Sequence, residues 1–594
     1  MIPQKLDEIN YRVDLCVVGG GLAGLCAAVR AARGGSRVVL MQDRPVLGGN
    51  CSSENRMWIR GAGSRIHGYN ETGITEEIIC ENMYRNPEKI YSIWDSVLYG
   101  KAKSEPNLTL LLNCTCTNLT MSGNKIECVR GFQLTTYTWY NIHAKIFADC
   151  SGDSILAPLS GAEYTSGRES KDKYEEEFAH DTADKCTMGC SCLLQARETD
   201  HKVTFIPPDW AYKFPREEDI DRNHKISVRQ NFWWIEVGGE EGNTLKNAEI
   251  CRDELLKIVF GIWDHIKNHC DNKADNWELD WVGFMSAKRE SRRYIGDYIL
   301  TQTDEESGGH FDDIVAYGGW PLDDHHPGGF RHPTEGSRMK NMEKPYGIPY
   351  RSLYSVNIEN LMFAGRNISA SHIALSSTRV MKTCAVLGEA VGAAAAIAIR
   401  EGLSPREVGQ QRIAEIQNTL LENDCYLPHL TRKISALSLK SKLATDDCGD
   451  VSVLLNGTDR SLNEDNGFYC TLGKTVTYLF DKETEVDTVR IIFDSDLCRE
   501  HIGTIMKLDE TSMIGSRFLK YNHFDMPHTM TKEYKIEILD KEGKWNTVVD
   551  ENNNYQRFVK KSINTVCCGV RFVPLATYGE KKSHIFSFEV IGKN

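Results

Sequence analysis

Val13-Asp14-Leu15-Cys16-Val17-Val18-Gly19-Gly20-Gly21-Leu22-Ala23-Gly24 is the stretch on which the fold turns. The apolar run at 13–18 reads as a buried strand, the glycines as a tight turn and the small-residue run at 25–33 as a helix. A second strand at 37–41 completes the unit. The spacing Gly19-x-Gly21-x-x-Gly24 gives each glycine a task. One permits the turn, one lets the backbone approach a pyrophosphate, and one lets helix and strand pack closely. The helix N-terminus adds free N–H groups and a partial positive charge. The pattern predicts a nucleotide site built on Gly19, Gly21, Leu22, Ala23 and Gly24. At the end of the second strand, where an acid commonly takes the ribose hydroxyls, stand Gln42 and Asp43. An amide can hydrogen-bond a hydroxyl, though without charge assistance.

Working outward, three further segments extend this site. Gly48-Gly49-Asn50-Cys51-Ser52-Ser53-Glu54 follows the second strand, and its small polar residues admit a flat ligand to the backbone. Ala148-Asp149-Cys150-Ser151-Gly152-Asp153 closes a strand at 145–149, and Leu361-Met362-Phe363-Ala364-Gly365-Arg366 closes another. A long Ala/Gly-rich helix at 383–400 comes next. A simple NAD site needs only the first glycine segment, so the set favours FAD.

The texture changes between. Residues 166–344 alternate charged stretches with aromatic clusters such as Phe232-Trp233-Trp234, with a helix expected at 254–269. The spacing predicts an α/β chain. A Rossmann-type FAD-binding domain (1–165 and 345–405) is interrupted by an inserted α+β substrate domain (166–344). A helical linker (406–443) and a C-terminal β-sandwich (444–594) follow. Strands are expected at 107–116, 125–138, 476–480, 486–493, 534–539, 565–573 and 585–591, with a turn at Asp481-Lys482.

On these motifs the chain resembles the large FAD-dependent oxidoreductase family, whose fold is shared more distantly with fumarate reductase flavoproteins. It looks most like the bacterial branch that goes by the name xanthan lyase. The matching stretches are 17–24, 42–54, 289–300, 318–328 and 360–392. The resemblance implies non-covalent FAD at the interface of the nucleotide and inserted domains. It matches Gly19, Gly21 and Gly24 to the pyrophosphate turn and Gly48, Gly49, Asn50 and Ser52 to the segment approaching the flavin. It also matches Gly365 to the ribityl contact, and Gly388 and Gly392 to the last helix. The fold class usually has an acid after that ribityl glycine, where this chain has Arg366. Asp149 and Gly152 complete the expected cofactor set. The C-terminal module is similar to galactose-binding-like jelly rolls, which suggests sugar binding or docking.

Flavin oxidation of an alcohol or amine needs a base for the heteroatom proton, and histidine is the usual residue. His325 lies in the Gly/Pro-rich loop 318–329, with Asp323 two residues away to orient it and Trp320 available to exclude solvent. His372 follows Gly365 closely, and His67 follows the Gly48-Gly49 segment. Arg289-Glu290-Ser291-Arg292-Arg293 and Arg379 are either anion clamps or an internal ion-pair network. The twenty cysteines show no paired C-x2-C zinc motif and no iron–sulfur run, so no metal is expected. Cys51, beside the flavin segment, reads as a small residue that fits rather than a reactive thiol.

Seventy basic against 83 acidic residues give a net charge of −13, a poor match for generic nucleic-acid binding. No run reads as a membrane span, and the N-terminus lacks the basic and apolar regions of a secretory signal. A cytoplasmic location is expected. The leading reading is an FAD-dependent oxidoreductase exchanging a hydride with a small polar substrate, with a carbohydrate derivative as one candidate. The alternatives are reduction of an activated double bond, and a non-enzymatic carbohydrate-binding protein with structural FAD. The substrate and the oligomeric state are not legible.

Overall fold

The computed structural model describes residues 6–66, 68–228, 230–240, 242–270, 274–333, 336–498, 513–520 and 525–593. The chain divides into two compact units that are interleaved in sequence. One is Met1–Arg65, Lys89–Ile416 and Ser512–Asn522; the other is Ile66–Glu88, Gln417–Thr511 and His523–Asn594.

The first unit is built on a five-stranded parallel sheet. Its strands are β1 (Leu15–Val18), β2 (Val38–Met41), β3 (Leu108–Leu111), β4 (Ile146–Asp149) and β5 (Leu361–Phe363), ordered β5-β4-β1-β2-β3. Every residue of β1, β2, β4 and β5 is buried. A parallel strand covered on both faces has no solvent side to alternate with, which is why these segments read as unbroken apolar runs. The expected strand at 107–116 is two strands. The chain leaves the parallel sheet at Leu111, turns through a left-handed Asn113 and enters Cys114–Ser122. That strand lies in a second, four-stranded sheet with Lys125–Gln133, Thr138–His143 and Glu8–Arg12.

Helix α1 (Leu22–Arg33) links β1 to β2 and opens one residue after Gly21. Three more helices matter below: α2 (Ala248–Asp264), α3 (His372–Thr378) and α4 (Met381–Glu401). Helix α4 lies directly on α1. A Cβ on Gly388 would sit 2.0 Å from the Ala23 carbonyl oxygen, and one on Gly392 would sit 2.3 Å from that of Ala27. Arg30 on α1 donates from Nε to Glu389 on α4 at 3.0 Å, with both side chains buried. Breaking such a pair leaves an uncompensated buried charge, so it fixes how the helices meet. Among the described residues α4 is the one helix long and apolar enough to cross a membrane, and 94% of its apolar window lies inside the fold.

The inserted region folds around α2. Cys190, Cys192, Leu194, Phe232, Trp234 and Trp263 belong to its core. Helix α2 begins earlier than expected, at Ala248, and runs on into a π turn, His265–His269. Arg293–Tyr294 pairs with Tyr164–Thr165, and residues 295–299 beyond it are irregular.

The second unit is a seven-stranded antiparallel sheet. Val476–Phe493 is one strand of 18 residues and passes straight through Asp481-Lys482, where a turn was expected. Its ladder with Phe558–Thr577 instead shifts register between Leu479 and Thr484. Such a shift absorbs extra residues without ending a strand. Lys582–Ile591 has eight consecutive buried positions, so both its faces are covered. Arg460 explains why Ile66–Glu88 belongs to this unit. It donates to the carbonyls of Gly68 and Asn70, at 3.3 and 2.9 Å, and to Thr72 Oγ1 at 2.7 Å.

Candidate active site

The glycine turn forms an open backbone trough at the N-terminus of α1. Gly19 has φ +103°, and a Cβ there would lie 2.5 Å from the backbone of Cys150 and Ser151. A Cβ on Gly24 would lie 1.8 Å from the Gly19 carbonyl oxygen. These two glycines therefore serve the fold. Gly21 is different: its φ of −63° and ψ of 178° suit any residue, and a Cβ there would meet nothing within 4 Å. Gly48 bridges Gly21 in parallel, and its N–H donates to Gly20 at 2.8 Å. A Cβ on Gly49 would touch only Gly21 Cα, at 3.2 Å. The space above Gly21 and the first turn, Leu22-Ala23, is thus walled by backbone, as a pyrophosphate needs.

Several expected contacts are already engaged within the protein. Gln42 accepts from the Gly20 N–H at 2.7 Å and donates to the Val46 carbonyl at 3.2 Å. Its amide shapes the turn rather than offering itself to a ribose, and the neighbouring Asp43 is exposed. Asp149 is likewise consumed. It accepts from Ser151 N and Oγ, Leu156 N and the Tyr294 hydroxyl, the last at 2.7 Å. Burial raises its pKa against those four bonds. Gly152 makes room for Arg366, whose guanidinium would lie 2.6 Å from a Cβ there. Arg366 pairs with Asp153 at 2.7 Å, an acid contributed from the end of another strand. Asn50 donates to the Lys288 carbonyl at 3.0 Å, and the Ser52 hydroxyl accepts from Glu54 N at 3.3 Å. Burial pushes the Cys51 thiol well up, which makes it inert.

The segment after β5 carries three buried polar atoms without a hydrogen-bond partner, Arg366 Nε, Asn367 Oδ1 and Ser369 Oγ. Unsatisfied groups of this kind are costly unless a ligand or water meets them. Together with the open trough they fit a polar, extended cofactor lying between the α1 N-terminus and this segment.

A buried charged cluster adjoins it. His325 is 4% exposed and faces carboxylates on both sides, with Nδ1 2.7 Å from Glu236 and Nε2 3.3 Å from Asp323. Trp233 lies edge-on to its ring at 5.3 Å. Asp323 has two further partners, Arg379 at 3.1 Å and the Trp320 indole at 3.4 Å. Arg289 reaches Glu236 at 3.2 Å and Ser191 Oγ at 2.8 Å. Arg379 is largely buried, and its Nε has no hydrogen-bond partner. Residues 288–290 tie this cluster to the cradle. The Lys288 carbonyl holds Asn50, Arg289 meets the acid that holds His325, and Glu290 meets His372.

His372 does not fit the role of base. Its Nδ1 lies 3.0 Å from Glu290 and its Nε2 3.0 Å from Asp324. Burial alone would lower its pKa, but the two carboxylates outweigh burial and push it up to about 10. At neutral pH the ring is a cation donating from both nitrogens, with no lone pair for a substrate proton. It sits at the start of α3, where Ser371 caps the helix. It is a structural ion, and Glu290 continues from it to the buried Arg293. His67 lies outside the described residues.

This assignment has a testable sign. A folded-state pKa raised from 6.5 to about 10 contributes stability that is complete below pH 6.5. That stability is lost as the pH climbs through 10. His372→Asn should therefore cost about 3–5 kcal/mol near pH 6, as expected on breaking a buried ion pair. The gap to wild type should shrink steadily toward pH 10. Urea unfolding at a series of pH values would measure it, and a gap independent of pH would refute the cationic ring.

A parallel sheet carrying a glycine turn at a helix N-terminus, with a buried polar cluster beside it, is the arrangement of a dinucleotide-binding protein. The chain belongs to the FAD dependent oxidoreductase family, whose model matches residues 14–420. It is an FAD-dependent enzyme. Two curated relatives match short stretches only. Sarcosine oxidase subunit alpha of Corynebacterium sp. (strain U-96) is 47% identical over 47 residues, 8% of this chain and 5% of that protein. Soluble pyridine nucleotide transhydrogenase of Hahella chejuensis (strain KCTC 2396) is 48% identical over 43 residues, 7% of this chain and 9% of that protein. The chain thus spans less than a tenth of either relative. Among solved structures, a geranylgeranyl bacteriochlorophyll reductase-like protein of Thermoplasma acidophilum is 12% identical over 70% of this chain and 86% of its own, with a TM-score of 0.32. A family 32 carbohydrate-binding module from Streptococcus pneumoniae EndoD is 14% identical over 26% of this chain and 98% of its own, with a TM-score of 0.19.

Proposed function

We propose that this oxidoreductase exchanges a hydride with a small polar substrate held beside His325, Arg289 and Arg379, and that His325 takes or returns the substrate's heteroatom proton. The carrying observation is the placement of His325. It sits in a buried cluster joined to the glycine cradle through three consecutive residues, 288–290. When bound, FAD supplies the two-electron partner for the hydride. The protein's own groups do the rest. The α1 N-terminus and the Gly21–Gly49 trough hold the pyrophosphate, with Asp43 toward the ribose and Arg366, Asn367 and Ser369 along the polar chain. Arg289 and Arg379 orient polar substrate groups, and Trp233 and Trp320 keep water from the reacting face. His325 Nε2 is the nitrogen that turns to substrate. Its 3.3 Å contact with Asp323 is the weaker one, and Asp323 keeps Arg379 and Trp320 when it is released.

The unpartnered Arg379 Nε favours a second reading, in which a substrate carboxylate docks there and an activated double bond is reduced. We place the enzyme in the cytoplasm, because most of its cysteines, Cys16, Cys114 and Cys150 among them, are buried in the core as small hydrophobes.

Anaerobic titration tests both readings. Sugar derivatives, polyols, hydroxy acids and amines are screened for bleaching of the oxidised flavin. Fumarate-type alkenes are screened for re-oxidation of the dithionite-reduced flavin. Bleaching by a member of the first group supports the main reading, and re-oxidation by alkenes alone supports the second. If neither group exchanges electrons, the small polar substrate is wrong.

A further inference from the structure

Glu217, His224, His265 and Cys270 come together at the edge of the inserted region, their ligand atoms all within 4.8 Å of one another. They arrive from three pieces of chain. Glu217 opens the 3-10 turn Glu217–Asp219, His224 lies in the irregular stretch after it, and His265 and Cys270 bracket the π turn that ends α2. We propose that these four side chains bind one structural Zn²⁺.

Four observations carry the proposal. First, both imidazoles are oriented by backbone. His224 Nδ1 lies 2.8 Å from the Arg222 carbonyl and His265 Nδ1 2.8 Å from the Phe214 carbonyl. Each Nδ1 therefore carries the proton and each Nε2 lone pair points inward, the arrangement that orients metal-bound histidines. Second, His265 is fully buried, and its Nε2 faces the Glu217 carboxylate at 3.3 Å without hydrogen-bond geometry. With Nδ1 carrying the proton, a lone pair set against a carboxylate is costly unless something electron-poor lies between them. Third, the spacings suit a tetrahedron. Four atoms about 2.0–2.3 Å from one zinc lie about 3.3–3.6 Å from each other. Glu217 reaches both rings, with Oε1 3.1 Å from His224 Nε2 and Oε2 3.3 Å from His265 Nε2, so either oxygen can turn to serve as its one ligand atom, and Cys270 Sγ stands 3.5 Å from His224 Nε2. Fourth, the charges balance, since one thiolate and one carboxylate neutralise a divalent ion. One sulfur with imidazole nitrogens selects zinc over calcium or magnesium, and four protein ligands leave no position open for catalysis.

The site has a structural use. The stretch from 199 to 228 has no regular element beyond one 3-10 turn. A metal binding Glu217 and His224 would fasten it to the C-terminal end of α2.

The test uses the full-length flavoprotein, purified without chelator or metal-affinity resin. Elemental analysis should find about one zinc per chain. X-ray absorption at the zinc edge should show one sulfur scatterer at about 2.3 Å and three nitrogen or oxygen scatterers at about 2.0–2.1 Å. Cys270→Ser should remove the sulfur shell and weaken zinc retention by more than the roughly 10–100-fold that loss of an outer-shell partner costs, read in a chelator competition. FAD content should remain normal. If that variant does not fold, the wild-type absorption spectrum decides alone. A chain without stoichiometric zinc, or a zinc shell lacking sulfur, overturns the proposal.

Discussion

Gly21→Val should give a folded protein that does not retain FAD. The expectation rests on an asymmetry among the three turn glycines. At Gly19 and Gly24 a Cβ would strike backbone at 2.5 and 1.8 Å, so substitution there damages the fold itself. At Gly21 the backbone is already extended, φ −63°, and the side-chain direction is empty. A valine fits the protein and fills the space left for the pyrophosphate. Holding the phosphates off the helix N–H groups forfeits at least two charge-assisted hydrogen bonds, at about 1.5–3 kcal/mol each. Losing about 3–6 kcal/mol weakens binding roughly 10²–10⁴-fold. Released flavin, identified by mass and counted per chain, should drop from stoichiometric to trace. Far-UV circular dichroism should be unchanged. A yellow Gly21→Val protein with full FAD content would show that the pyrophosphate lies elsewhere.

The same asymmetry shows what a sequence can and cannot reveal. β1, β2, β4 and β5 were legible because a strand buried on both faces must be apolar throughout, and the turn because the glycine spacing is itself a steric requirement. The individual contacts were not. Gln42 stands where an acid usually meets ribose, yet its amide closes a bond back to Gly20. Asp149 looked free and is held by four donors, one of them Tyr294, 145 residues away. Asp481-Lys482 carries turn composition, and the chain does leave its ladder with Phe558–Thr577 between Leu479 and Thr484, but pairing resumes beyond it and the strand runs on. The proposed zinc ligands escaped for a related reason. Metal motifs are recognised by short spacing, and here 40 residues separate His224 from His265. Only the end of α2 brings them together.

The two histidines illustrate the limit most sharply. Both are expected in loops beside the cofactor segments, where position alone ranks them nearly equal, whereas in the structure His325 ends the strand Leu322–His325 and His372 opens α3. What separates them is contributed from far along the chain. His372 is clamped by Glu290 and Asp324, each at 3.0 Å. His325 has one short contact, to Glu236, and one long contact to an acid with other donors. No periodicity encodes that difference, because it depends on which carboxylate is already committed.

His325→Asn is therefore the decisive variant for the chemistry. Asparagine keeps a hydrogen-bonding group between Glu236 and Asp323 but cannot hold a proton near neutral pH. Loss of a positioned base typically costs about 10²–10⁴-fold in rate. Using whichever substrate bleaches the flavin in the titration above, stopped-flow measurement of flavin reduction should show that fall. FAD content should stay stoichiometric, because none of the trough contacts involves His325. A purely structural role would also slow the reaction, so the pH profile has to separate the two. If His325 carries the proton, the limb of the kcat/KM profile that belongs to the imidazole disappears in the variant. If His325 only braces Glu236 and Asp323, the limb persists at reduced amplitude. His372→Asn serves as the internal comparison. It should lose stability in the pH-dependent manner described above while keeping that limb, since its ring has no lone pair to offer. A His325→Asn enzyme that reduces its flavin at the wild-type rate would remove this residue from the mechanism and leave the proton to a carboxylate of the same cluster.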